Sequence, residues 1–213
     1  MKKHSILTII LVAIVICGSS DFSIAGHGEL TGKQAGGEEI PLLSQAEADS
    51  LKFMREEEKL ARDVYLEMIA KYGSKIFYNI AESEQTHMDA IKTLLDKYGL
   101  SDPADPDIGE FNDTELQQLY EDLIDQGENS KLDALMVGAL IEEIDIEDLQ
   151  TAIDQTDKQD LERVYGNLMS GSKNHLRAFV SQIEPLSGEA YVAQHLSQDE
   201  VDAILDPQGE ANN

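Results

Sequence analysis

From Ser44 onward, apolar residues return at the three-to-four-residue spacing of helices that bury one face. Ser44 followed by Glu47 forms a capping box, and Leu51, Met54, Ala61, Tyr65, Met68 and Tyr72 continue the stripe, which predicts a helix over 45–72 ended by Gly73. Phe77, Ile80, Ala81, Met88, Ile91, Leu94 and Leu95 predict a second over 75–98, stopped by Gly99. Pro103 and Pro106 make the stretch from Ser101 to Asn112 a loop. Asp113 then caps a shorter helix with Leu116, Leu119, Tyr120, Leu123 and Ile124 on its apolar face, closed by Gly127. Asn129 or Ser130 caps a third long helix through Leu135, Ala139, Ile146, Leu149 and Ile153. A fourth runs from about Asp157 through Leu161, Tyr165, Leu168, Phe179 and Ile183 to Pro185, and Ser197 to Leu205 is a last short helical stretch.

No alternating strand pattern of useful length and no internal repeat interrupts this series, so the fold class is all-α. Two long helices, a connection of some thirty residues with its own short helix, and two more long helices fit a four-helix bundle with one long crossover. That is the ferritin-like arrangement. The pattern divides the chain into a bundle over 44–184 and a tail over 185–213 carrying the short helix. The chain's 213 residues suffice for one well-cored domain and not for two full-sized ones.

Ahead of the bundle the composition changes twice. Lys2 and Lys3 precede an apolar run from Ile6 to Cys17 and a small-residue exit at Ser23-Ile24-Ala25, which reads as a signal peptide over 1–25. The run falls short of the roughly 20 residues that span a bilayer. Cys17 follows the bulky Ile16, which argues against lipid anchoring there. Residues 26–43 are Gly-rich and polar, a flexible leader in which His27 reads as a solvated side chain. The expectation is an exported protein, periplasmic or extracellular, with no membrane insertion after cleavage.

Cleavage removes two lysines and one aspartate and moves the formal charge from −26 to −27. So acidic a surface repels nucleic acid and anionic lipid, which excludes both as partners. The sole cysteine leaves with the leader, so the mature chain has no disulfide and no C-x-x-C iron centre.

Several polar residues stand on the apolar stripes. At about 100° per residue, Glu58 falls between Met54 and Ala61, while Glu57, one step round, competes for the same role. Glu84 and His87 point the same way one turn apart, on the line through Phe77, Ala81 and Ile91. Glu142 sits between Ala139 and Ile146, with Asp145 flanking that line, and His175 shares a line with Leu168, Ser172 and Phe179. Singly, each has an ordinary structural explanation. Together, three or more inward carboxylates repel each other, and burying an unpaired one costs several kcal/mol. Arg62 and Arg163 lie off the main stripes, although Lys173 and Arg177 are nearer His175. A metal ion or a metal pair supplies the compensation, and oxygen donors with a little imidazole suit iron or manganese. The metal-free alternative is a polar core network of Glu, His, Tyr and Ser.

The segments EEEKLARDVY (56–65), IAESEQTHMDAI (80–91), GALIEEIDIEDL (138–149) and GSKNHLRAF (171–179) resemble the DUF2202 domain, an uncharacterised group, within the wider ferritin-like, rubrerythrin-like superfamily. The resemblance covers about residues 44–184 and carries no established activity. It implies a dinuclear iron site in which Glu58 and Glu142 serve from the first and third long helices, and Glu84 with His87 form the first E-x-x-H. In the fourth helix the position three before His175 is Ser172, so one carboxylate is missing, and Asp145 is the candidate replacement from the neighbouring helix. The resemblance also implies a homodimer. Three functions follow as alternatives: an oxygen- or peroxide-reducing oxidoreductase fed by an external electron donor, with Tyr65 or Tyr165 as an electron carrier; a non-catalytic metal buffer; and a metal-free structural bundle.

Overall fold

The computed structural model describes residues 42–206, so the leader and signal-peptide readings and the last seven residues lie outside the described residues. Six helices appear: α1 Gln45–Tyr72, α2 Lys75–Tyr98, α3 Thr114–Gly127, α4 Lys131–Asp154, α5 Gln159–Ser187 and α6 Gln198–Leu205. There is no strand among the described residues, and the chain is all-α.

The helix ends follow from local chemistry. Ser44 Oγ accepts from Glu47 N while Glu47 Oε2 accepts from Ser44 N at 2.7 Å, the reciprocal capping box. Ser130, rather than Asn129, caps α4 by accepting from Asp133 N. Gly73 and Gly99 take left-handed φ values of 58° and 69° and end α1 and α2. Gly127 closes α3 for a different reason, since it is helical and a Cβ there would meet Met68 Cε at 2.7 Å. The fourth long helix does not stop at Pro185 but continues to Ser187. In the last turn a proline deprives only one upstream carbonyl of its donor, that of Ser181, whose exposure leaves it open to solvent.

Helices α1 and α2 form one helical hairpin and α4 and α5 another. The hairpins meet through α1 against α4 and α2 against α5, with α3 across α1 and α4 and α6 on α5. Leu51, Val64, Met68, Ile91, Leu95, Leu149, Leu161 and Leu176 lie in the core between them. An aromatic cluster of Tyr65, Phe77 and Phe179, with ring centroids 5.5 to 6.1 Å apart, fills its centre. Gly138 makes room for it, since a Cβ there would stand 2.4 Å from the Phe179 ring.

The middle of α1 is buried all round. Lys59, fully buried, donates from Nζ to Asp63 Oδ2 at 2.5 Å and to the carbonyls of Asp107 and Glu110. Asp63 also accepts from Gly109 N, and Arg55 pairs with Asp102 through two bonds of 3.0 Å. Together these fasten the 101–112 loop over α1. On α4, buried Glu143 accepts the hydroxyl hydrogen of Tyr191 and the backbone N–H groups of Gln194, His195 and Leu196, which straps the segment before α6 onto that helix.

Candidate metal centre

The inward faces of α1, α2, α4 and α5 converge on two overlapping groups, Glu58 with Glu84 and His87, and Glu84 with Glu142 and His175. Within each group the candidate donor atoms all lie within 4.8 Å of one another. All five side chains are buried. Each follows from its helix: Glu84 and His87 share a face because they are three apart, and Glu58, Glu142 and His175 lie on the stripes that bury neighbouring apolar residues.

Glu84 is common to both groups and offers one oxygen to each. Its Oε2 lies 2.8 Å from His87 Nδ1, and its Oε1 lies 2.8 Å from His175 Nδ1. Glu58 Oε2 stands 3.1 Å from His87 Nδ1, and Glu142 Oε2 stands 3.4 Å from His175 Nδ1. The two imidazoles stack with centroids 5.6 Å apart, both presenting Nδ1 inward. Close as they are, Glu84 Oε1 and His175 Nδ1 are not aligned as hydrogen-bond partners. Among the described residues no hydrogen bond reaches either atom, nor Glu58 Oε1, nor Asp145 Oδ1. Buried polar atoms are rarely left so, because an unmet one costs about 1–3 kcal/mol. A cation between these atoms satisfies them together, and the donor set of carboxylates and imidazole fits iron or manganese.

The surroundings fix the orientation of these groups. Tyr65 donates its hydroxyl hydrogen to Glu142 Oε1 at 2.5 Å. His175 Nε2 meets Ser83 Oγ at 3.0 Å, which holds Nδ1 toward the centre. Gly171 on α5 lets the His87 ring approach, since a Cβ there would stand 2.6 Å from Nε2. Ser172 donates to Asp145 Oδ2, which leaves the buried Oδ1 beside the centre without a hydrogen bond from a described residue.

The electrostatics reflect crowded negative charge. Burial opposes a charge on His87, but Glu58 and Glu84 outweigh it and hold the imidazolium up to about 11. Burial likewise opposes His175, which Glu142 and Glu84 raise to about 10. Burial raises Glu84, yet His175 and His87 overcome it and bring the carboxyl down to about 2. Burial and the charge of Asp145 push Glu58 well above the usual carboxylate range, and burial raises Glu142 against the pull of His175. Burial and Glu142 lift Asp145 to about 7.

Glu58, Glu84, His87, Glu142 and His175 are therefore brought together. Asp145 is buried beside them but belongs to neither group. Of the two competing glutamates Glu58 faces the centre, whereas Glu57 lies beside Asp148 of α4 and joins neither group. Of the two tyrosines Tyr65 touches the site, whereas Tyr165 Oη lies 3.5 Å from Ser50 Oγ at the other end of α1. The tyrosine bond to Glu142, the clearance at Gly171 and the Ser83 contact leave no trace in local periodicity, since each joins residues on different helices.

The chain is similar to proteins that are described as uncharacterised. An uncharacterised protein of Methanocaldococcus jannaschii, MJ0754, is 50% identical over 164 residues, which cover 76% of this chain and 88% of that protein. The crystal structure of hypothetical protein MJ0754 from Methanococcus jannaschii superposes with a TM-score of 0.76 at 47% identity, covering 80% of this chain and 98% of that one. The model of the uncharacterised domain family DUF2202 matches residues 47–208, and the chain belongs to that family.

Proposed function

We propose that the protein is a ferritin-like bundle whose core binds metal, iron by its donor set and as a pair, with Glu58, Glu84, His87, Glu142 and His175 as ligands. The observation that carries this reading is Glu84, whose two oxygens each lie 2.8 Å from a different imidazole Nδ1, so that one carboxylate serves both groups of candidate ligands. Asp145, held by Ser172, supplies the oxygen that α5 lacks. Iron held by these residues would supply one-electron chemistry for the reduction of oxygen or peroxide.

The chain's own residues define the conditions of such chemistry. Burial of all five ligands keeps bulk water out. Tyr65 holds Glu142 by its hydroxyl hydrogen, and through that bond it is the side chain placed to carry an electron or proton to the site. With no C-x-x-C pair in the chain, electrons come from an external donor. We infer export from the first 25 residues.

Elemental analysis of protein purified without an affinity tag tests the reading, with iron near two ions per chain as the expected result. Addition of iron(II) and peroxide to the metal-free protein is expected to give a new near-ultraviolet absorption that E84A and H87A lose. One observation favours a second reading, a metal-free bundle: two imidazoliums, held at about 11 and about 10, partly neutralise the carboxylates unaided. Metal-free isolation with full thermal stability in chelator selects it.

A further inference from the structure

The three consecutive glutamates of α1 serve three destinations. Glu58 faces the centre, Glu56 accepts the backbone N–H of Asn112 in the loop, and Glu57 turns to α4, where Asp148 and Asp145 are its charged neighbours. Glu57 is only 5% exposed, and its Oε2 meets no hydrogen-bond partner among the described residues, as is true of Asp145 Oδ1.

On α4 the carboxylates recur every three residues, at Glu142, Asp145 and Asp148. Three residues fall about 60° short of a full turn, so the row winds about 120° round the helix while rising about 9 Å along it. It therefore leaves the core at Glu142 and reaches the surface at Asp148, which is half-buried. Glu147 and His195 are the charged neighbours of Asp148 there. Glu147 is 58% exposed and its Oε2 lies 2.5 Å from His195 Nε2, the ring that the Glu143 strap holds in place. The row runs from the half-buried Asp148 through the buried Asp145 to Glu142, and Asp145 and the buried Glu57 of α1 each keep an oxygen free of hydrogen bonds from the described residues. Neither Glu57 nor Asp148 joins a group of three donors that would retain an ion.

We propose that Asp148, Glu57 and Asp145 form the path by which a divalent cation enters the centre from the surface beside His195. The path rests on the reading of the core as a metal site. Cobalt(II), a redox-silent probe with visible absorption in an oxygen and imidazole site, tests it by stopped-flow loading of the full metal-free chain. E57Q/D148N is expected to load on the order of tenfold more slowly than wild type and to reach the same final amplitude, as expected where carboxylates raise the local cation concentration. E121Q/D122N removes the same charge from α3 and is expected to load at the wild-type rate. D148N alone, at a half-buried position, is expected to slow loading by a smaller factor and decides the matter where the double variant does not fold. An unchanged rate overturns the path and leaves the metal site standing. A reduced final amplitude makes these residues ligands and also overturns it, as does equal slowing in the α3 variant. A wild-type chain that takes up no cobalt overturns both readings.

Discussion

Ser172 donates its hydroxyl hydrogen to Asp145 across the α4–α5 interface, and it stands three residues before His175, where an E-x-x-H pattern calls for a carboxylate. In the proposed metal site the oxygen missing from one helix would be offered by its neighbour, with the serine as the group that orients it. D145A is expected to lower the iron content from two ions per chain to one. D145A/S172E, which moves the carboxylate back to α5 and vacates space on α4, is expected to restore the second ion. Metal analysis after dialysis checks both, and two ions retained by D145A would falsify the exchange.

Tyr65→Phe removes the donor from Glu142 Oε1 and keeps the ring that packs on Phe77 and Phe179. The loss of one buried hydrogen bond is expected to cost about 1–3 kcal/mol in urea unfolding. Metal affinity should weaken about 10- to 100-fold, the usual effect of losing a group that orients a ligand. Isothermal titration with manganese(II) measures the second effect, and an unchanged affinity removes Tyr65 from the site.

His87→Ala leaves Glu58 and Glu84 facing each other without the imidazole between them. In chelator, the variant is expected to lose about 3–5 kcal/mol, the cost of breaking a buried charged pair from one side. It should also lose the rise in melting temperature that metal gives the wild type. Melting curves with and without manganese(II) test both halves.

Gly171→Ala places a methyl group where His87 Nε2 stands 2.6 Å away. The imidazole must shift from Glu58 and Glu84, so the expected outcome is a stability loss of about 1–3 kcal/mol together with weaker metal binding. Alanine otherwise favours a helix over glycine by roughly 1 kcal/mol, so a stabilised variant with full metal content refutes the packing claim.

The pH dependence of the metal-free protein follows from the direction of the shifts. His87 at about 11, His175 at about 10 and Asp145 at about 7 all lie above their unfolded values. Each contributes stability that is complete below the unfolded value and is lost as pH rises through the folded one. Glu84, lowered to about 2, acts oppositely and is lost only as pH falls toward 2. The metal-free protein is therefore expected to be most stable near pH 5 and to melt at progressively lower temperature toward pH 8 and beyond. Metal displaces the imidazole protons, so the melting-temperature gain on adding manganese(II) should grow over the same interval. Calorimetry at fixed ionic strength across pH 5 to 8 reads both trends.

The sequence by itself determined the helices of the described residues, most of their ends and the inward placement of Glu84, His87, Glu142 and His175. Helical periodicity, caps and left-handed glycines are local, so they are written in consecutive residues. Only the tertiary structure decided what each inward group faces. Periodicity gives a residue's direction around its own helix and says nothing of what stands opposite. Glu57 and Glu58 differ by a single 100° step, and the neighbours on α2 and α4 separate their roles. Lys59 and Asp63, four residues apart on α1, are both fully buried because the 101–112 loop folds over them, a contact that helical spacing does not record. Asp145 is already the candidate replacement for the carboxylate missing at Ser172, but the hydrogen bond from the serine hydroxyl to it joins residues 27 apart on two helices and arises only from their packing.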